Sequence, residues 1–383
     1  MRVLILYPRF YVYGGGEILI VRLCNYLSKQ GVRNSILTTE MLPEVRADLI
    51  NTEVLIEKVD SAGGNNVRAQ YKMQMKALEK GLVKHQNDFD VVNPHNFPSE
   101  IAAAAAIKPV VWMCNEPELY LIKNHPNFKT SFSLNRLYFS ILFYIERFLV
   151  ARRIKHVVVS DELNAKRFRA IYGFHPHVVN YGIDYDFFSA RGDPQLPQKN
   201  EFPGKFVILH VGMITPYKNQ LESLRALNAI KEKIPEAALV FAGGGFDEVY
   251  KKPIENYIHE NGLSGRVIFK GHMKRDELRS LYYRADVMIH PIRPQGGWLS
   301  PFEMLCAGKP IIVSKEMTAS YIIERERIGV VTDDYAGAIF DAYMNKDKYA
   351  RMAARGKEYV RDHLSWDSYG EKMLRVYTTA VQS

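Results

Sequence analysis

The sequence predicts an α/β protein made of two doubly wound domains. At 383 residues the chain is too long for one ordinary core and suits two. Short apolar runs alternate with Gly- or Pro-bearing loops and amphipathic helical stretches, the rhythm of a parallel sheet with crossover helices. A polar stretch at 189–204, carrying three of the 18 prolines, breaks that rhythm once and reads as a linker. The expected divisions are therefore 1–188, a linker at 189–204, a second domain at 205–364 and a terminal segment at 365–383.

Residues 2–7 read as a buried strand, followed by a loop over 8–16 that ends in Gly14, Gly15 and Gly16. Residues 17–30 read as an amphipathic helix with Ile18, Val21, Leu23 and Leu27 near one face. Gly31 stops it, and 35–38 is the next strand. The loop lacks the Gly-x-Gly-x-x-Gly spacing of dinucleotide sites. It is either a glycine turn for packing or a place where the Gly16 amide faces a phosphate. A Gly/Asn-rich loop at 60–66 precedes a basic helix at 67–84. Residues 90–93 form a strand ending in Pro94, His95 and Asn96, with His95 read as a polar strand-end residue. An Ala-rich helix spans 99–107, and a strand at 109–113 runs into Cys114, Asn115, Glu116 and Pro117.

Residues 130–153 read as a helix with Leu137, Ile141, Tyr144, Ile145, Phe148 and Leu149 on one stripe. Arg147, Arg152, Arg153 and Lys155 crowd its C-terminal end, where cations suit the dipole. The stripe is expected to pack into the core above a solvated basic edge; the alternative is a membrane interface. A strand at 157–160, a helix at 161–172 and a turn near 180–184 close the first half.

The second half repeats the pattern. It has strands at 206–211, 238–242, 266–269 and 285–290, and helices at 219–233, 247–261 and 275–284. The stretch 291–314 organises it. Gln295, Gly296, Gly297 and Trp298 form a loop open to close approach by a ligand. Ser300 is the expected N-cap, Pro301 the first helical residue and Glu303 the third residue after the cap. Gly308 and Pro310 end the helix, and 311–313 is the next strand; the last helices run over 346–382. A helix start at the C-terminal edge of a parallel sheet suits an anion. Glu303 either closes a capping box or accepts hydrogen bonds from a polyol such as ribose. Lys218 stands just before a helix, where a cation is mildly disfavoured, so an anion nearby explains it better than solvent does.

The string 291–314 resembles the C-terminal signature of glycosyltransferase family 4. That signature is Glu-Gly-Phe-Gly-Leu, a second Glu eight residues after the first, then Ala-x-Gly-x-Pro-Val-Ile. Gly296, Leu299, Glu303, Gly308 and Pro310 match it, Gln295 replaces the first Glu, and Gly297-Trp298 replaces Phe-Gly. The likeness continues through the second half in order, with Lys218 six residues after Gly212 and Met213 in place of the usual Arg. In the first half Gly-Gly-x-Glu over 14–17 matches, and Asn115 stands where many members have a His.

The resemblance implies a GT-B fold: two Rossmann-like domains facing across a cleft, with the 365–383 helix crossing back to the first. It implies a retaining transferase that moves a hexose-type sugar from a nucleotide diphosphate sugar to a glycan or lipid-linked acceptor. Donor-binding residues would be Gly15, Gly16, Gly212, Lys218, Gln295, Gly296, Gly297, Trp298, Leu299 and Glu303. Lys218, Glu303 and Asn115 would be closest to the chemistry. Lysine and backbone amides would take the diphosphate charge, so no metal or other cofactor is expected. The leaving phosphate would act as the base, as is proposed for that family. Asn115 can hydrogen-bond but cannot shuttle a proton near neutral pH. Two other classes stay open: a non-catalytic nucleotide-sugar binder or scaffold, and a nucleotide-sugar epimerase. The exchange of a His and a Glu for amides counts against the epimerase.

The net charge is +9, with 47 % hydrophobic and 24 % charged residues. A basic balance suits anionic substrates, a lipid surface or nucleic acid, and no nucleic-acid-binding signature accompanies it. Cys24, Cys114 and Cys306 are scattered among apolar neighbours and read as buried thiols in a reducing compartment. With no leader pattern and no spanning run of about 20 apolar residues, the expected location is cytoplasmic, with room for contact at the cytoplasmic face of a membrane.

Overall fold

The computed structural model describes residues 1–59, 67–120, 134–190, 202–245, 247–293 and 298–383. Its chain divides into two compact units, Met1–Gly182 with Trp366–Ser383, and Ile183–Ser365.

The first unit runs β1 (Arg2–Leu6), α1 (Gly15–Lys29), β2 (Arg33–Thr38), α2 (Pro43–Ala47), β3 (Thr52–Ile56), α3 (Val67–His85) and β4 (Val91–Pro94). It continues with α4 (Ser99–Ala102), β5 (Val111–Met113), α5 (Leu134–Arg153), β6 (His156–Val159), α6 (Glu162–Tyr172) and β7 (His177–Val178). The strands are parallel in the order β3-β2-β1-β4 and β5-β6-β7, and single bridges at Val92–Val110 and His95–Met113 join β4 to β5. Alternation along each strand sends its side chains to two cores. Leu4, Leu6, Val92, Trp112, Val157 and Val159 meet residues of α3, α4, α5 and α6, whereas Val3, Ile5, Val91, Val111 and Val158 meet α1.

The second unit runs α7 (Tyr185–Ser189), β8 (Phe206–Val211), α8 (Gln220–Ile230), β9 (Ala237–Ala242), α9 (Glu248–Glu260), β10 (Val267–Phe269) and α10 (Arg275–Arg284). Then come β11 (Val287–His290), α11 (Leu299–Cys306), β12 (Ile311–Val313), α12 (Ser320–Arg325), β13 (Val330–Val331), α13 (Tyr335–Met344) and α14 (Lys346–His363). Its sheet is parallel throughout, ordered β10-β9-β8-β11-β12-β13. The last helix, α15 (Trp366–Gln382), returns to the first unit. There Tyr369, Met373 and Tyr377 join the core under α1, and the Tyr377 hydroxyl donates to Asn93 Oδ1 at 2.7 Å.

Three local expectations change. Helix α1 begins at Gly15, two residues before the expected start, because Gly14 caps it and the Glu17 carboxylate accepts from the Gly14 N–H at 3.1 Å. Helix α11 begins at Leu299, with Trp298 rather than Ser300 at its cap. Pro301 fits the third helical position because that N–H has no intrahelical partner in any case, and Glu303 thereby falls in the second turn, outside a capping box. The largest change is in α5. The residues that reach the core are Phe139, Leu142, Phe143 and Val150, while Leu137, Ile141, Tyr144, Ile145 and Phe148 are exposed. The three cysteines are buried and unpaired by disulfide.

Candidate active site

Parallel doubly wound sheets bind ligands beyond the C-terminal strand ends, where the strand order reverses. In the second unit that point lies between β8 and β11, which sit side by side while their crossovers lead in opposite directions. The loop after β8 is 212–219, and after β11 the described residues are 291–293 and, from 298, the start of α11.

The 212–219 loop is held by its own unit on both sides. The Gly212 N–H donates to Ala242 O at 2.8 Å and the Ile214 N–H to Gly245 O at 3.0 Å. Asn219 Nδ2 donates to Pro291 O at 2.9 Å, and the Arg293 N–H donates to Tyr217 O at 2.9 Å. Gly212 and Gly243 have φ of 149° and 150°, and a Cβ on Gly243 would overlap the Gly212 carbonyl. The two glycines thus let the β8 and β9 ends come together as residues with side chains would not. The Lys218 stem lies along Gly212, 3.2–3.3 Å from where a Cβ would stand. Met213, in the place of the family's Arg, is 50 % exposed.

Beneath the loop are two buried histidines that the sequence analysis read only as strand residues. His210 Nδ1 lies 2.8 Å from Ser223 Oγ, and its Nε2 is buried without a hydrogen-bond partner. Burial, and secondarily the Lys218 charge, pushes the His210 imidazole down to about 3, so it is neutral. The His290 ring is 6.3 Å away.

Glu303 is half-buried, and its Oε2 accepts from the Tyr282 hydroxyl at 2.7 Å. Burial pushes the carboxyl up to about 7, opposed by that hydroxyl and by the Arg275 guanidinium. A carboxyl poised there can accept from neighbouring hydroxyls in either protonation state and can donate below pH 7. Trp298 is 1 % exposed, with its ring on Phe302 at 5.2 Å, so its side chain is core and only its backbone is available to a ligand. Leu299 opens α11. Gln295, Gly296 and Gly297 lie outside the described residues.

In the first unit the strand order reverses between β1 and β4. There Gly15 and Gly16 form the start of α1, and Gly16 stands over a chain of hydrogen bonds. Tyr7 Oη donates to Glu17 Oε1 at 2.8 Å, and Asn96 Nδ2 donates to Tyr7 Oη at 3.4 Å. Asn115 Nδ2 donates to Asn96 Oδ1 at 2.8 Å, and Tyr181 Oη donates to Asn115 Oδ1 at 2.7 Å. Asn115 is thus engaged at both ends of its amide by the protein itself. Glu118, close by, accepts from the Phe97 N–H at 3.3 Å, and burial pushes its carboxyl up to about 7. His95 is fully buried, its Nε2 2.7 Å from Asn93 Oδ1, and burial pushes it down to about 3. Glu17 was marked in advance by Gly-Gly-x-Glu, whereas Tyr7, Asn96, Tyr282 and Arg293 were not singled out because no local motif marks them.

Two family sequence models match the chain. "Glycosyltransferase Family 4" matches residues 13–187, and "Glycosyl transferases group 1" matches residues 193–359. The chain belongs to glycosyltransferase family 4. Among curated proteins this family member is 27 % identical over 208 residues to the GDP-mannose-dependent alpha-(1-6)-phosphatidylinositol monomannoside mannosyltransferase of Mycobacterium tuberculosis, a match covering 50 % of this chain and 53 % of that protein. The match thus spans about half the length of that relative. It is 20 % identical to the mannosylfructose-phosphate synthase of Agrobacterium fabrum, over 94 % of this chain and 85 % of that one. Among solved structures, HepE of Anabaena in complex with UDP-glucose superposes with a TM-score of 0.79 at 17 % identity, covering 99 % of this chain and all of that one. The fold of this glycosyltransferase is GT-B. Among the described residues no group of three or more His, Cys, Asp or Glu side chains could hold a metal, and no helix is long and apolar enough to cross a membrane.

Proposed function

We propose that the protein is a retaining, metal-independent hexosyltransferase. Its donor would be a nucleotide diphosphate sugar and its acceptor a glycan or lipid-linked hydroxyl met at the cytoplasmic face of a membrane. The observation that carries the donor half is the pairing at one strand-order reversal of Lys218, laid along Gly212, with Glu303, backed by Tyr282. Lys218 would neutralise the diphosphate as a point charge, joined by amides at the start of α11. Arg293 follows β11, and its amide is bonded to Tyr217 next to Lys218. In this reading its guanidinium would stand in for the arginine that Met213 displaces. Glu303 would hold the ribose hydroxyls. Gly15, Gly16, Gln295, Gly296 and Gly297 would complete the donor-binding set in this reading.

In the reaction, the bond between the anomeric carbon and the leaving phosphate oxygen breaks, and the electron pair stays on the phosphate. The acceptor oxygen bonds to that carbon on the same face, and its proton passes to the departing phosphate. Catalysis would come from stabilising the leaving group and positioning the acceptor. The role left to Asn115 is positioning, since its amide is tied to Asn96 and Tyr181.

Calorimetry with UDP, GDP, ADP and their sugars tests the donor reading, because the relatives' names divide between GDP-mannose and UDP-glucose. One base binding tightly to wild type, and weakly to Lys218→Ala and Glu303→Ala, is the expected result; no binding by any refutes it. A second reading, a nucleotide-sugar binder without turnover, draws on the fully engaged Asn115 amide. Release of nucleotide diphosphate in the presence of an acceptor distinguishes the two.

A further inference from the structure

Helix α5 carries two apolar faces. Phe139, Leu142, Phe143 and Val150 are buried against the sheet. Leu137, Ile141, Tyr144, Ile145 and Phe148 are each 42–58 % exposed. At 3.6 residues per turn these five fall within an arc of about 100°, a continuous outward stripe. Scattered exposed apolar residues are ordinary, but a row of five large ones on one helix is not. The stripe ends in cations. Arg152 lies over the Phe148 ring, 4.1 Å from its centroid, and Arg147, Arg153 and Lys155 are exposed around it. Helix α3 covers the same face of the sheet, touching α5 through Tyr71 and Phe139, whose rings are 6.0 Å apart. Its outward row is Lys72, Lys76, Lys80 and Lys84, all exposed, of which Lys80 and Lys84 lie near Glu57.

We infer that the outward faces of α5 and α3 dock the protein onto an anionic lipid surface, with α5 lying in the interface plane. Charge selects this occupant. A second copy of the chain would bring the same arginines and lysines against one another, whereas anionic headgroups neutralise them. The side-chain types suit the same depth. Ile, Leu and Phe enter the acyl boundary, Tyr144 sits at headgroup level, and arginines reach back to phosphate while their stems stay apolar. The purpose of this contact rests on the lipid-linked acceptor proposed above, while its existence does not.

The test is co-sedimentation of the full chain with vesicles of phosphatidylcholine, alone or mixed with phosphatidylglycerol, at low and high salt. Binding to the mixed vesicles at low salt is expected, weakened by salt. Ile141→Ser with Phe148→Ser should abolish it, and Arg152→Gln with Arg153→Gln should weaken it by about tenfold or more. These sites are on the surface, so unchanged melting temperatures should accompany the loss. Failure of wild type to bind the mixed vesicles, or variants that bind as wild type does, would overturn the inference. So would a monomer–dimer equilibrium abolished by the serine pair, since that assigns the stripe to a second copy. Calorimetric donor binding by the same variants is read separately, so loss of lipid contact and failure of the transferase reading are distinguishable.

Discussion

In the proposed site Lys218 and Gly212 would act as one device, since the lysine stem lies along the glycine. Removing the ammonium with Lys218→Ala is expected to weaken nucleotide-sugar binding about 10- to 100-fold, the worth of a charge-assisted contact of about 1.5–3 kcal/mol. Gly212→Ala should cause part of that loss with the lysine still present. Its Cβ would press on the Lys218 stem at 3.2 Å, and the φ of 149° disfavours any side chain; calorimetry on both variants checks this. Glu303 makes a different prediction. Burial raises its carboxyl to about 7, so the anionic acceptor is present above that pH and is lost as pH falls through it. Nucleotide-sugar affinity should therefore rise between about pH 6 and pH 8 in wild type and stay flat in Glu303→Gln. Lys218 and Glu303 could be picked out as candidates because spacing to a glycine and to a Gly-x-Pro stop marks them. Tyr282 and His210 were not, because a buried residue on a neighbouring helix or strand has no sequence offset that announces its partner.

Elements were more legible than their faces. Strand β8 and helix α10 were read to the residue, because strong alternation of apolar runs and turn residues leaves little choice. In α5 periodicity found a real stripe and misassigned it. That helix is apolar on opposite sides, so the period marks a stripe without saying which one meets the sheet. Helix α15 shows the converse. Gly370 costs helix propensity, and a Cβ there would overlap the Tyr26 ring of α1, so close approach explains the glycine. Gly370→Ala should lower stability by about 1–3 kcal/mol despite the better propensity, read from the denaturant midpoint. A neutral or stabilising result would mean that α15 packs less closely on α1.

For the molecule as a whole, the first unit carries an unusual load of buried acid. Glu100 is buried with neither carboxyl oxygen hydrogen-bonded, and burial, then Glu146, pushes it well above the usual carboxylate range. Burial pushes Glu146 up to about 8 and Glu118 to about 7, although Glu146 Oε2 accepts from Tyr172 Oη at 2.9 Å. Raised folded-state values mean that the fold prefers the protonated forms. That stability is full below the ordinary carboxylate pKa of about 4.3 and is lost as pH rises through 7 and 8. Glu146→Gln keeps an acceptor for Tyr172 and removes the titration. It should raise the melting temperature by several degrees near pH 9 and leave it almost unchanged near pH 5. An equal effect at both pH values would place the carboxyl in solvent.

The sequence by itself determined the α/β class, the family, and the two segments, the loop after β8 and the helix after β11, that carry Lys218 and Glu303. These are local facts, written in period, glycine spacing and helix stops. Only the tertiary structure decided that Trp298 is core, that Glu303 leans on Tyr282, and that the Asn115 amide is already engaged. It alone turned the α5 stripe outward. Those outcomes depend on which residues distant in sequence arrive at the same place, and sheet order and helix rotation set that.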